Sequence, residues 1–195
     1  NLGNALVILG TLVGGPLLMA ASLLWFARLP ADSAPWKASV DDLSSLIPPL
    51  AALVDVLPFA LLFGLGISCV VTPLTNTLMG SISGRFSGIG SAINNSIARV
   101  GQPLLGALIF IPISAAYYAS LGSATGLDMA DTAIRRAFQP LNPPAAGATP
   151  DQIAASNLAS MDAFHLAMIV CAGLMVVGAA VSWYGLREPA RSTAT

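Results

Sequence analysis

The chain alternates long apolar runs with shorter polar segments. Spanning a bilayer takes ~20 helical residues at ~1.5 Å rise per residue, and four of the apolar runs reach that length. We predict membrane-spanning helices over four ranges: 5–26, 56–79, 87–121 and 163–186. Trp25 and Trp183 lie near the ends of two of them, where an amphipathic ring prefers the headgroup level. The pattern predicts an all-α, polytopic transmembrane helical bundle with four spans.

The composition excludes several classes of protein. Hydrophobic residues make up 55% of the chain and charged residues only 9%, whereas a soluble domain carries about 25% charged residues. A net charge of −1 offers no basic surface for phosphates. We therefore exclude a water-soluble globular domain, a disordered segment and a nucleic-acid-binding protein.

The polar connections predict the orientation in the membrane. We expect two outer loops at residues 29–54 and 122–162. The turn at 80–86 and the tail at 187–195 are expected to be cytoplasmic. The turn carries Arg85 without an acid, whereas the two long loops contain mostly aspartate among their charged residues. By the positive-inside rule, both ends of the chain lie on the cytoplasmic side of a cell (inner) membrane.

The outer loops contain further helical signals. Residues 40–54 are acidic and then apolar around Pro48-Pro49, which indicates a segment lying along the interface. Residues 131–141 form a short amphipathic pattern. Thr149 followed by Gln152 is a capping-box pattern, which predicts that the last helix begins near Pro150 and projects above the membrane.

Two ionisable residues lie at the predicted outer ends of spans. Asp55 precedes the second span, where we expect a helix cap, with a coupling-ion carboxylate as the alternative. His165 follows Asp162 at the start of the fourth span, where a structural role is expected because one histidine does not build a metal site.

The third span holds the densest set of polar residues, and four of these share one helical face. The four are Ser91, Asn95, Arg99 and Gln102, with Asn94 beside them. An arginine at mid-membrane costs at least ~2.5–3.5 kcal/mol on insertion scales, so Arg99 needs a partner or water. One interpretation is the lining or gate of an aqueous substrate pathway. The other is that Arg99 reaches lipid phosphates while the asparagines join helices.

The second span carries a stripe of small and hydroxyl residues. Its members are Gly64, Ser68, Thr72 and Thr75, with Asn76 beside them. Such stripes let helices approach closely, so we predict helix packing, with a cavity wall as the alternative. Pro73 in this span and Pro103 in the third each free a backbone carbonyl and predict a kink.

Catalytic and cofactor motifs are missing from the sequence. It contains no H-E-x-x-H, no G-x-S-x-G and no P-loop. Cys69 and Cys171 lie inside apolar runs, where a free cysteine behaves as a small hydrophobe. We predict that the protein is not an enzyme and uses no cofactor or metal.

The segment from Gly64 to Phe110 resembles a known family. An apolar-Pro-Leu-Thr run at 71–75 leads to a short basic turn, then Gly88-x-Gly90-Ser-Ala with Asn94-Asn95 and Ala98-Arg99. The end of the first span (LLWFAR) and the sequence DAFHLAM at 162–168 fit the same pattern. In this order and spacing, the motifs resemble the C-terminal helices of the fourteen-span drug:proton antiporter family of the major facilitator superfamily.

The resemblance implies the function. Members of this family expel drugs or other hydrophobic compounds in exchange for protons, by alternating access between two helical halves. The chain would then be the C-terminal part with the last four spans, and its partners would be the lipid bilayer, the missing N-terminal spans, a small-molecule substrate and protons. The alternative is a complete four-span membrane scaffold or accessory subunit without transport activity. A first residue other than Met favours a piece of a longer protein.

Overall fold

The computed structural model describes residues 2–30, 39–42, 46–81 and 86–187. These ranges contain five helices and no strand. The helices are α1 (Leu2–Phe26), α2 (Leu50–Ser81), α3 (Ser87–Thr125), α4 (Thr132–Ala137) and α5 (Pro150–Arg187). The prediction of an all-α protein is therefore confirmed.

Three of the helices are long and apolar enough to cross a membrane, which indicates a membrane-embedded protein. Their apolar ranges are Leu50–Asn76, Gly88–Thr125 and Pro150–Gly185. The first predicted span corresponds to α1, in which Gly10–Phe26 is a shorter apolar helix. The second, third and fourth predicted spans thus coincide with helices of spanning length, and the first stays a prediction.

The start of α2 differs from the expectation. The helix begins at Leu50, directly after Pro48-Pro49, and the amide of Leu53 donates to the carbonyl of Pro49 at 3.1 Å. Proline is tolerated at a helix start because the first amides have no intrahelical acceptor. The prediction that Asp55 caps the helix is therefore wrong, since Asp55 lies inside α2 and is half-buried. Its alternative role as a coupling-ion carboxylate stays a prediction.

The start of α5 follows the capping-box pattern. The amide of Thr149 donates to Oε1 of Gln152 at 3.0 Å, and the amide of Gln152 donates to Oγ1 of Thr149 at 3.3 Å. Two amides that lack intrahelical acceptors are thereby satisfied. The predicted helix start near Pro150 is confirmed. At 38 residues, α5 is about 57 Å long, well beyond the ~30 Å hydrocarbon core.

The short helix expected within 131–141 is present as α4. Asp131 caps it, and its side chain accepts from the amide of Ala133 at 2.8 Å. Arg135 and Arg136 lie in its last turn, where positive charge complements the helix dipole.

The helices form two compact units. The first contains α1, α2, α3 up to Ile97 and α5 from Cys171. The second contains residues 27–30, the rest of α3, α4 and α5 up to Val170. Its core consists of buried residues from α3, from α5 and from the segment after α4: Ile113, Tyr117, Leu121, Phe138, Ala159 and Ala163.

Part of the predicted orientation rests on residues outside the described ranges. Lys37, Arg85 and Arg191 lie there, as do most of the cytoplasmic turn and of the C-terminal tail. The orientation of the termini stays a prediction.

Candidate functional site

The polar residues of α3 lie along one continuous helix. At about 100° per residue, Ser91, Asn95, Arg99 and Gln102 fall within an arc of roughly 80°, and Asn94 lies roughly 60° beyond Ser91. From Ser91 to Gln102 the face extends about 17 Å along the helix axis. The arrangement predicted from the sequence requires this continuity of the helix, and the shared site itself stays a prediction.

Most side chains of this polar face are exposed on the surface of the structure. Asn94, Asn95, Arg99 and Gln102 are all exposed, and Ser91 is half-buried. Within the described ranges, no hydrogen bond or ion pair involves any of the four exposed side chains. An unpartnered guanidinium and three amides in an apolar helix need water, lipid headgroups or further protein around them.

The stripe on α2 is exposed as well, and its hydroxyl groups are satisfied within the helix. Ser68 donates to the carbonyl of Gly64 at 2.8 Å, Thr72 to that of Ser68 at 3.4 Å, and Thr75 to that of Val71 at 2.8 Å. Hydroxyls bonded in this way leave oxygen lone pairs for a partner. Asn76, beside the stripe, is exposed.

The contact between α1 and α2 uses the opposite side of α2. A Cβ built on Gly66 would lie 2.7 Å from the carbonyl oxygen of Gly15 and 2.6 Å from Cγ of Met19. Gly66 is two residues, or about 200°, from both Gly64 and Ser68 around the helix. The stripe therefore stays uncovered by α1. The predicted role of the stripe in helix packing, which includes Gly64 and Thr75, stays a prediction.

The prolines free backbone carbonyls inside the helices. Pro58 leaves the carbonyl of Val54 without its intrahelical donor, and the indole N–H of Trp25 donates to that oxygen at 3.4 Å. By the same spacing, Pro73 and Pro103 free the carbonyls of Cys69 and Arg99. The freed carbonyl of Arg99 belongs to the polar stretch of α3, where it adds a backbone acceptor.

The predicted site residues belong to both compact units. Thr72, Asn76, Asn94 and Asn95 lie in the first, and Arg99 and Gln102 lie in the second. The expectation that Thr72 and Asn76 face Asn95, Arg99 and Gln102 stays a prediction.

The structure also reveals a polar contact that the sequence analysis missed. The hydroxyl of Tyr117 on α3 lies 2.8 Å from that of Ser156 on α5, and both side chains are almost completely buried. Nearby on the same two helices, Ser120 donates to a carboxylate oxygen of Asp162 at 3.4 Å. The sequence around Tyr117 and Ser156 has no motif that pairs the two residues, so only the fold identifies them as partners.

His165 has a structural contact at the same end of α5. Its Nε2 lies 2.9 Å from the carbonyl oxygen of Leu29, which fixes the residues that follow α1 against α5.

Comparisons with known proteins supply no family. No protein-family model, no curated protein and no solved structure matches this chain.

Proposed function

We propose that the chain is the C-terminal part of a secondary transporter that moves small hydrophobic compounds across a cell membrane by alternating access. The observation that carries the proposal is the exposed polar face of α3, with Arg99 at one edge. Three apolar helices of spanning length support a membrane location. The polar face is the part of these helices that lipid would not solvate.

A free-energy comparison separates the possible surroundings of Arg99. Lipid contact at mid-membrane would cost at least ~2.5–3.5 kcal/mol for this side chain alone. Asn94, Asn95 and Gln102 would each add to that cost, because an amide without a partner is also unfavourable in hydrocarbon. A water-filled crevice, or a wall of further helices with polar groups, removes the cost. The proposed transporter would supply both, in its substrate pathway and in its additional spans.

The proposal assigns a role to each of the predicted site residues. Asn95, Arg99 and Gln102 line the substrate pathway or its cytoplasmic gate, with Asn94 at the edge of the face. Thr72 and Asn76 form the opposite wall. Gly64, Ser68 and Thr75 pack against helices of the missing N-terminal spans, since small residues permit close approach. Pro73 and Pro103 allow the bending that rocking between two states requires.

The direction of transport and the coupling ion come from the family resemblance. Efflux of drugs in exchange for protons is what the segment 64–110 implies by its likeness to the fourteen-span drug:proton antiporters of the major facilitator superfamily. The lipid bilayer, the missing spans, the substrate and protons are the partners in this proposal, and no cofactor or metal takes part.

Substitution of Arg99 tests the proposal. In the complete protein, Arg99→Ala is expected to abolish substrate uptake into everted vesicles, which corresponds to efflux from the cell, while the amount of inserted protein stays unchanged. Arg136→Ala, in α4, removes an exposed arginine elsewhere and serves as the matched control with normal efflux. Wild-type efflux in Arg99→Ala would refute the role of this residue. A complete reading frame without further spans would favour the four-span scaffold.

A further inference from the structure

The connection between α3 and α5 is a folded element, which we name the outer cap and define as residues 126–149. It contains α4 and begins and ends near two glycines with positive φ, Gly126 at 67° and Gly147 at 101°. Left-handed backbone of this kind suits glycine, and Gly126 adopts it directly after the end of α3. The amide of Ala145 donates to the carbonyl of Ala137 at 2.8 Å, which closes the segment after α4 on itself.

One aromatic side chain anchors the outer cap. Phe138, the residue after α4, is only 6% exposed. It belongs to the buried cluster formed with residues of α3 and α5, among them Tyr117 and Ala159. A phenyl ring buried from a loop removes a large apolar surface from water and so contributes strongly to holding that loop in place.

Polar contacts tie the outer cap to each helix separately. Toward α3, the hydroxyl of Tyr118 donates to the carbonyl of Arg135 at 3.5 Å, and the Arg135 guanidinium lies 4.8 Å from the centre of the Tyr118 ring. Toward α5, the amide of Leu141 donates to the hydroxyl of Ser160 at 3.3 Å. Leu141 has φ of 62°, an unfavourable conformation for leucine that persists only where surrounding contacts impose it.

We infer that the outer cap is a clamp that holds the outer parts of α3 and α5 together as one body. A lid that opens and closes would have few contacts with the helices beneath it, because each of those contacts must break when the lid opens. The outer cap instead places a buried ring between the two helices and bonds to both. This inference does not rest on the proposed transport function, because the contacts that carry it lie within one compact unit.

Hydrogen exchange of the full chain in lipid nanodiscs tests the clamp. Phe138→Ala is expected to speed exchange of the Ala145 amide by about tenfold or more, since the anchor of the outer cap is lost. Phe110→Ala removes an equally large ring from an exposed site on α3 and is expected to leave that exchange unchanged. Phe138→Leu retains an apolar anchor and is expected to fall between wild type and Phe138→Ala. Equal exchange of Ala145 in wild type and both Phe138 variants would overturn the inference.

A disulfide distinguishes a clamp from a gate. The pair Leu141→Cys and Ser160→Cys, in a background with Cys69 and Cys171 changed to Ala, is designed to join the outer cap to α5, because the Leu141 amide lies 3.3 Å from the Ser160 hydroxyl. Loss of free thiols verifies that the disulfide has formed. A clamp then keeps its transport rate when oxidised. Loss of transport on oxidation, restored by a reductant, would overturn the clamp and make the outer cap a gate. If the complete protein without these substitutions transports nothing, the proposed function fails, and the exchange measurement alone decides on the clamp.

Discussion

The hydroxyl groups of Tyr117 and Ser156 form a 2.8 Å hydrogen bond between α3 and α5, inside an otherwise apolar cluster. Tyr117 is 0% exposed and Ser156 is 1% exposed, so neither hydroxyl has access to water. Each group satisfies the other, which makes the pair favourable only while both are present.

Removing one hydroxyl of this pair is expected to destabilise the protein. Tyr117→Phe or Ser156→Ala leaves a buried hydroxyl unpaired and should lower the free energy of unfolding by about 1–3 kcal/mol, measured by denaturant titration in micelles. The double variant is expected to lose less than the sum of the two. Tyr184→Phe, at an exposed site, is the control with no effect. Strict additivity of the two single losses would contradict the pairing.

The approach of α1 and α2 depends on glycine at position 66. Gly66→Ala would place its Cβ 2.7 Å from the carbonyl oxygen of Gly15, which is backbone and moves only if the helices separate. We expect a loss of about 1–3 kcal/mol in the free energy of unfolding. The matched control is Gly14→Ala, because nothing lies within 4 Å of a Cβ at Gly14. Similar losses for the two variants would argue against this helix contact.

The indole of Trp25 is expected to stabilise the protein, because it donates to the Val54 carbonyl that Pro58 leaves without an intrahelical donor. Trp25→Phe removes the donor to the carbonyl of Val54 and should cost about 0.5–1.5 kcal/mol in the free energy of unfolding. Pro58→Ala restores an intrahelical amide for the same oxygen. The cost of Trp25→Phe should therefore shrink in the Pro58→Ala background. An unchanged cost in that background would show that Trp25 acts by packing alone.

The capping box at the start of α5 is expected to contribute measurably to the free energy of unfolding. Thr149→Ala removes the acceptor for the amide of Gln152 and should cost about 1 kcal/mol in the free energy of unfolding. Exchange of the Gln152 amide should become faster. Thr149→Ser keeps a hydroxyl acceptor and is expected to behave as wild type. Protection of this amide in Thr149→Ala equal to wild type would refute the cap.

Local signals predicted the local features well. Thr149 and Gln152 are three residues apart, so the sequence alone placed the start of α5 correctly. The start of α2 was misplaced because Pro48-Pro49 was interpreted as a break within an interfacial segment, although proline also begins helices. That error is why Asp55 was assigned to a cap.

Contacts between distant residues lay beyond the sequence pattern. Gly15 and Gly66 are both visible as glycines in apolar runs, yet nothing local pairs them. Phe138 stands in a polar loop, where a single aromatic residue carries no periodicity. For α3, the 3.6-residue repeat predicts that Asn95, Arg99 and Gln102 share one side of the helix, but the repeat does not specify what surrounds them.

The central claim is that the polar face of α3 faces water or a wet protein wall, and not lipid. Thiol labelling measures this directly in the protein in its native membrane, with Cys69 and Cys171 changed to Ala. Asn95→Cys lies on the polar face, and Ile97→Cys lies about 200° further around the same helix and is also exposed in the structure. The account predicts that a charged, membrane-impermeant thiol reagent modifies Asn95→Cys and spares Ile97→Cys. Labelling of Ile97→Cys with no labelling of Asn95→Cys would contradict it.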